Sequence, residues 1–322
     1  MFKFNNVRMN LMLTGLLVLL TIFPLSISIA DNASKFMAID PMLSQWLLSF
    51  KCREGAKDIL ICEVARNEYM SGIFPELKEN IMKNKADNAE SLMLLNPKAI
   101  FVKKGAEHNL SEVKKSGIEI VSFDFEKPED IFNGIKTMGE ILKMEKRAEE
   151  MTAYFKDAID KSNENAAKNS KKSKPRVYFA NSNIYQSFGN GMYQNFLIET
   201  AGGASVTSKS SGAKIQISIE ELIKLDPEII ITASYCSDKP GMIIKNEKLK
   251  DLSAVKNEKI FVMPHYVSSW DMPIPESILG ITWLSAKIYP ESKIDLNKSV
   301  KDFYQKFYNL KIDDEKIKNI LN

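Results

Sequence analysis

Nine side chains in this 322-residue chain join aromatic area to cationic or metal-ligating groups: Lys103, Lys104, His108, Tyr185, Phe188, Tyr235, His265, Tyr266 and Trp270. They stand in segments that follow short apolar runs reading as strands. In parallel α/β sheets ligands sit beyond the carboxyl ends of the strands. That rule nominates segments 40–42, 103–108, 181–188, 234–237 and 265–270 as binding loops. Aromatic rings supply contact area at low entropic cost, and lysine neutralises carboxylates or catecholates. The chemistry implied is capture of a bulky, partly anionic chelate. Tyr266 and Trp270 are the first choices as anchors, against the alternative that they pack in the core.

The metal-ligating residues are few. The chain has two histidines, His108 and His265, and three cysteines, Cys52, Cys62 and Cys236. No CxxC or Cys/His cluster exists, so a resident zinc or iron–sulfur centre is not expected. Either histidine could instead complete an open position on a metal that arrives already chelated, since imidazole suits iron, nickel and copper. A tyrosinate could do the same for ferric iron or haem. The alternative for each histidine is an ordinary surface residue. Cys52 and Cys62 could pair in an oxidising compartment, leaving Cys236 odd, but spacing alone does not establish the bridge.

One phrase occurs twice, 130 residues apart: Asn88-Ala89-Glu90-Ser91-Leu92 through Val102, and Ser218-Ile219-Glu220-Glu221-Leu222 through Thr232. Each copy reads as a cap, a short helix, an Asn-Pro or Asp-Pro stop and a buried strand. Ser218 with Glu221 forms a capping box, and Asn88 caps the first copy. Glu90 and Glu220 fall at the second helical position. Two readings stay open for them from the residues alone: stabilisation of the helix dipole, worth ~0.3–1 kcal/mol each, or a matched pair of carboxylates for docking on a partner.

Elements that would position these residues follow from the periodicity. Strands are expected at 35–39, 59–61, 118–123, 176–180 and 259–263, and helices at 42–50, 110–116, 193–200, 275–288 and 298–308. Strand, helix, strand in this order argues parallel sheets. Between the halves, Ile131, Ile135, Met138, Ile141 and Leu142 recur at helical spacing, continued by Ala148, Met151, Tyr154, Phe155 and Ile159. This is one long helix, or two joined near Lys143. The expected fold is α/β, with two Rossmann-like lobes of parallel sheet joined by one long rigid helix. The expected domains are a leader at 1–30, an N-terminal lobe at 31–127, a linker helix at 128–170 and a C-terminal lobe at 171–322.

The leader carries Lys3 and Arg8, an apolar run from Leu11 to Ile29, and small residues at Ser28 and Ala30. That pattern is expected to be a cleaved secretory signal; an uncleaved anchor is the alternative. Removing it takes the formal net charge from +3 to +1. No basic footprint remains for a nucleic acid partner, and the Lys168–Lys174 run reads as a solvated helix end or linker.

Taken in order, Asn88–Val102, Tyr193–Gly203 with its Glu199-Thr200-Ala201-Gly202-Gly203, Ser218–Thr232 and Trp270-Asp271-Met272-Pro273-Ile274-Pro275-Glu276 resemble the class III periplasmic binding proteins of ABC importers. This group serves iron-siderophores, haem and cobalamin. The resemblance implies two lobes around a shallow cleft, little closure on binding, a periplasmic location, and a monomer. It implies a partner permease with its ATPase at the inner membrane, on whose arginines one glutamate per lobe docks, here Glu90 and Glu220. It implies no intrinsic cofactor, and a metal chelate as cargo: first a ferric siderophore, alternatively a nickel chelate, haem or cobalamin. The match does not extend to Cys52–Asn84, where a ligand contact from Arg66 would fall.

Catalysis is not expected. Gly189-Asn190-Gly191 begins a GxGxxG pattern, but position 194 is Gln. No G-x-S-x-G or HExxH is present. A ligand sensor or a scavenger without a transporter is the competing class.

Overall fold

A computed structural model describes residues 35–51, 55–62, 73–74, 81–82, 88–169 and 173–322. The expected leader, Arg66 and the Cys52 half of any Cys52–Cys62 bridge lie outside these residues.

The first sheet is built from β1 (Phe36–Ala38), β2 (Ile59–Cys62), β3 (Ile81–Met82), β4 (Ala99–Lys103) and β5 (Glu119–Phe123), in the order β3-β2-β1-β4-β5 and parallel throughout. Helix α1 (Pro41–Lys51) follows β1, α2 (Ala89–Leu95) precedes β4, and α3 (Ser111–Lys115) lies between β4 and β5. Strands buried on both faces read as continuous apolar runs, as Ala99-Ile100-Phe101-Val102 does.

Two helices follow, α4 (Pro128–Leu142) and α5 (Glu145–Asn169). The apolar spacing over 127–169 is therefore two helices rather than one. Lys143 adopts a left-handed conformation and ends α4. The chain doubles back, so that Lys156 of α5 lies over the Phe132 ring of α4. Helix α5 spans the two halves of the molecule. Near its start Arg147 donates to the Ser49 carbonyl of α1 at 3.0 Å, and Phe155 packs on Trp46.

The second sheet uses β6 (Arg176–Ala180), then, beyond the strand β7 (Gln186–Phe188) and α6 (Tyr193–Thr200), β8 (Ala204–Ser205). After β9 (Lys214–Gln216) and α7 (Ile219–Leu225) come β10 (Ile229–Thr232), α8 (Pro240–Ile244), α9 (Ser253–Lys256) and β11 (Ile260–Val262). The order is β11-β10-β6-β8, all parallel, while β7 and β9 form a separate antiparallel pair. The chain closes with α10 (Ser277–Ile288), α11 (Leu296–Tyr308) and α12 (Asp314–Leu321). Asn165, near the end of α5, donates to Ser285 of α10 at 2.9 Å, which ties the bridging helix to this second half.

The repeated phrase has one structure in both copies. Each gives a seven-residue helix capped by a side chain, Asn88 onto the Ser91 N–H at 2.8 Å and Ser218 onto the Glu221 N–H at 3.1 Å. Each helix ends on a left-handed residue before proline, Asn96 and Asp226. Each then enters an interior strand, β4 or β10, with a parallel neighbour on both sides. Asp226 tolerates its positive φ because its carboxylate is held by the Ser253 N–H and hydroxyl, both at 2.8 Å.

Candidate functional site

Because both sheets are parallel, their strands release the nominated loops at one end of each sheet. The two halves meet there through specific bonds. The Trp46 indole N–H of α1 donates to the Pro273 carbonyl at 3.1 Å. Glu126, after β5, accepts the Tyr193 N–H at the start of α6 at 3.4 Å and holds Lys103 Nζ at 3.3 Å with its other oxygen. Asp40, Met42, Leu43, Phe123, Phe125 and Pro273 close the floor around this contact.

On the first-lobe side the cations are paired. Lys103 meets Glu126, and Lys104 meets Asp124 at 3.3 Å. Lys104 is exposed at the rim. His108 is exposed in the short helical turn Glu107–Leu110.

The second-lobe side is a connected polar surface. The Tyr235 hydroxyl donates to Asn181 Oδ1 at 2.9 Å, and the Ser237 N–H donates to the Ser182 carbonyl at 2.8 Å. Ser234 donates to the Ser269 hydroxyl at 3.2 Å, and Ser269 donates onward to the Asp271 carboxylate in a short bond. The loops after β6, β10 and β11 therefore act as one surface. Lys239 lies against the Ser234 carbonyl at 3.3 Å. Burial, with the Lys239 ammonium adding to it, pushes the His265 imidazole below its ordinary pKa, so His265 stays neutral to lower pH.

Tyr235 is 54% exposed; Tyr185 and Tyr266 are half-buried. Tyr266 stands edge-on to Tyr304, with Lys316 over its ring. Two of the nominated side chains are not on the surface. Trp270 is 0% exposed, in the core beneath its loop, and Phe188 is 4% exposed, edge-on to Phe179. Trp270 lies behind the chain reversal that pairs His265 with Ser269, so its side chain turns inward. Phe188 is on β7, whose neighbour Ser187 bonds the Phe179 carbonyl and holds the strand against the second sheet. Neither can serve as a solute platform where it stands. Among the described residues no three His, Cys, Asp or Glu side chains gather to hold a metal ion.

Ser234, Lys239, Ser269, Asp271 and Glu276 are absent from the nominated side chains. The one sequence signal available was two acids, Asp271 and Glu276, in an otherwise apolar and proline-rich stretch. Both are fully buried, and burial raises both carboxyl pKa values, Glu276 to about 7.

Glu90 and Glu220 are exposed at equivalent places on α2 and α7. Glu221 is turned back onto the Ser218 N–H at 2.8 Å, so Glu220 is the carboxylate left facing outward in the second copy.

Comparison with known proteins agrees with this architecture. Residues 76–267 match the family model described as periplasmic binding protein. The molybdate-binding protein MolA of Haemophilus influenzae is 26% identical over 264 residues, covering 73% of this chain and 74% of that protein. Its molybdate-bound structure superposes with a TM-score of 0.74, at 22% identity, over 88% of this chain and 95% of that one. A periplasmic solute binding protein from Veillonella parvula gives a TM-score of 0.78 at 25% identity, covering 91% and 92% of the two chains. Helicobacter pylori CeuE in its nickel–histidine complex gives 0.71 at 20% identity, covering 89% and 93%.

Proposed function

The chain belongs to the periplasmic binding proteins, in their class III group with two α/β lobes, and we propose that it captures a metal chelate and delivers it to the permease of an ABC importer. Lobes at 31–127 and 171–322, linked through 128–170, would each present one docking carboxylate, Glu90 and Glu220. A cleaved leader at 1–30 would deliver the chain to the periplasm as a monomer, with no cofactor of its own and no catalytic turnover.

The observation that carries the chelate reading is the polarity of the second-lobe surface. Ser269 spends its hydrogen on Asp271, so Ser234 must spend its own on Ser269. Ser234 therefore has only acceptor capacity left. His265 is biased toward its neutral form, and imidazole is a ligand type suited to iron or nickel. Acceptors of this kind suit a metal with bound waters or amine groups. With Trp270 and Phe188 in the core, the aromatic area for haem or cobalamin is reduced, which favours a compact chelate of iron or nickel. Tyr185, Tyr235, Tyr266 and Lys104 remain as contacts, with Arg66 as a further candidate.

A second reading is a tetrahedral metal oxyanion. Lys239 beside Ser234 favours it, and so does the similarity to a molybdate-binding protein. Elemental analysis of cells lacking this chain tests the transport role. Loss of one accumulated metal, restored by the wild-type chain, is expected. An unchanged metal content at limiting supply would favour a sensor or scavenger.

A further inference from the structure

The His265–Ser269 segment is the least regular part of the second-lobe surface, yet it is held tightly. The Val267 N–H donates to Glu276 Oε1 at 3.1 Å, and the Ser268 N–H donates to Glu276 Oε2 at 2.8 Å. The Tyr304 hydroxyl of α11 donates to Oε1 as well, in a short bond. Within the segment the Tyr266 N–H reaches the Ser268 carbonyl at 3.1 Å, and the Trp270 N–H reaches the Pro264 carbonyl at 3.1 Å. The chain thus folds around a single carboxylate that is 0% exposed.

A buried carboxylate at this place is expensive. A neutral side chain of similar volume would fill the space without the desolvation cost. What the carboxylate supplies is two acceptor oxygens at fixed spacing, satisfying two consecutive backbone N–H groups that would otherwise be buried and orphaned. Those two residues are flanked by the half-buried His265 and Tyr266 on one side and on the other by Ser269, which is buried and bonded to Ser234 and Asp271. The carboxylate is also coupled to the rest of the fold. Tyr304 packs edge-on to Tyr266 and stacks with Tyr308, and Tyr308 meets Phe74 from the first half of the chain.

We propose that Glu276 is a positioning residue of the solute site, fixing the Val267–Ser268 backbone so that His265, Tyr266 and Ser269 are presented in one arrangement. This rests on the solute-binding reading only for its consequence; the local fixing stands apart from it.

The test uses residues 31–322 and site-resolved amide exchange. Glu276→Gln keeps the volume and one carbonyl oxygen but replaces the other acceptor with a donor, so one loop N–H loses its partner. Tyr304→Phe removes a hydroxyl and leaves both loop bonds in place. In Glu276→Gln at least one of the Val267 and Ser268 amides should exchange at least about tenfold faster than in the wild type, with β10 and β11 unchanged. In Tyr304→Phe they should stay within about threefold. Titration with nickel–histidine and with molybdate supplies the functional arm. Whichever probe the wild type binds should bind at least about tenfold more weakly to Glu276→Gln and within about threefold to Tyr304→Phe. Equal loosening by both variants, or full protection and affinity in Glu276→Gln, would overturn the proposal. If the wild type binds neither probe, those two solutes are excluded as cargo and amide exchange still decides the positioning claim. Should Glu276→Gln not fold, Glu276→Asp, one methylene shorter, carries the same expectation and the same refutation.

Discussion

The Glu126 carboxylate accepts the Tyr193 amide at 3.4 Å across the line where the two halves of the molecule meet. Tyr193 is the first residue of α6, and no side chain of its own segment caps that helix. A carboxylate at a helix N-terminus meets an orphan N–H and the positive end of the dipole. Its other oxygen holds Lys103 at the rim of the candidate cleft. One side chain therefore links a cleft lysine to the seam between the halves.

Glu126→Ala should cost about 1 kcal/mol of stability, the loss of one partly buried, charge-assisted bond. Urea unfolding measures it. An unchanged midpoint would mean that water replaces the carboxylate at Tyr193 without loss.

Stability should depend on pH through Glu276. Its folded pKa, about 7, lies above the ordinary value of 4.5, because burial penalises the charged form. The folded state therefore holds the proton more tightly than the unfolded state. The stabilising contribution is complete below pH 4.5 and is lost as pH rises through 7. The two and a half pH units involved correspond to roughly 3 kcal/mol. Glu276→Gln should flatten this dependence between pH 4.5 and 7; a slope retained in that variant would assign it to another group.

Solute affinity should follow the neutral form of His265. Burial holds its pKa below the ordinary 6.5, so affinity for a metal chelate should hold at neutral pH and fall only in acid. His265→Gln should bind at least about tenfold more weakly, with the acid limb removed. Equal affinity and an equal pH profile would take His265 out of the solute site.

Gly280 of α10 lies against the Trp270 backbone, where a β-carbon would stand 2.4 Å from the Trp270 carbonyl oxygen. A carbonyl in the buried chain cannot move aside cheaply. Gly280→Ala should destabilise by about 1–3 kcal/mol. Thermal unfolding checks this; a neutral result would show that α10 can shift as a body.

Glu90→Ala with Glu220→Ala should leave solute affinity unchanged while removing uptake. Both side chains are exposed, and α2 and α7 keep their caps at Asn88 and Ser218. Affinity lost with uptake retained would reverse the docking assignment.

The repeated phrase was the most legible part of the chain. Its caps, its stops at Asn96 and Asp226 and its strands all depend on neighbours in sequence, and both copies fold as read. The main strands and helices were legible for the same reason. The β7–β9 pair was not, because its short strands find each other across α6 and β8 with no single tight turn joining them. Helix α12 was missed at the polar C-terminus. At the candidate site the loops could be read from strand ends, but the orientation of side chains could not. Trp270 and Tyr266 are four residues apart in one loop, and only the reversal between His265 and Ser269 sends the first into the core and leaves the second half-buried. Ser234, Ser269 and Asp271 form a chain of hydrogen bonds only after β10 and β11 have paired, so nothing in their spacing announces it.

The most direct measurement is a calorimetric titration of purified residues 31–322 with ferric siderophores, nickel–histidine, haem, cobalamin and molybdate. Saturable binding of one compact metal chelate, at one site per chain, is the predicted result. Binding of none of these solutes by the folded protein would contradict the account.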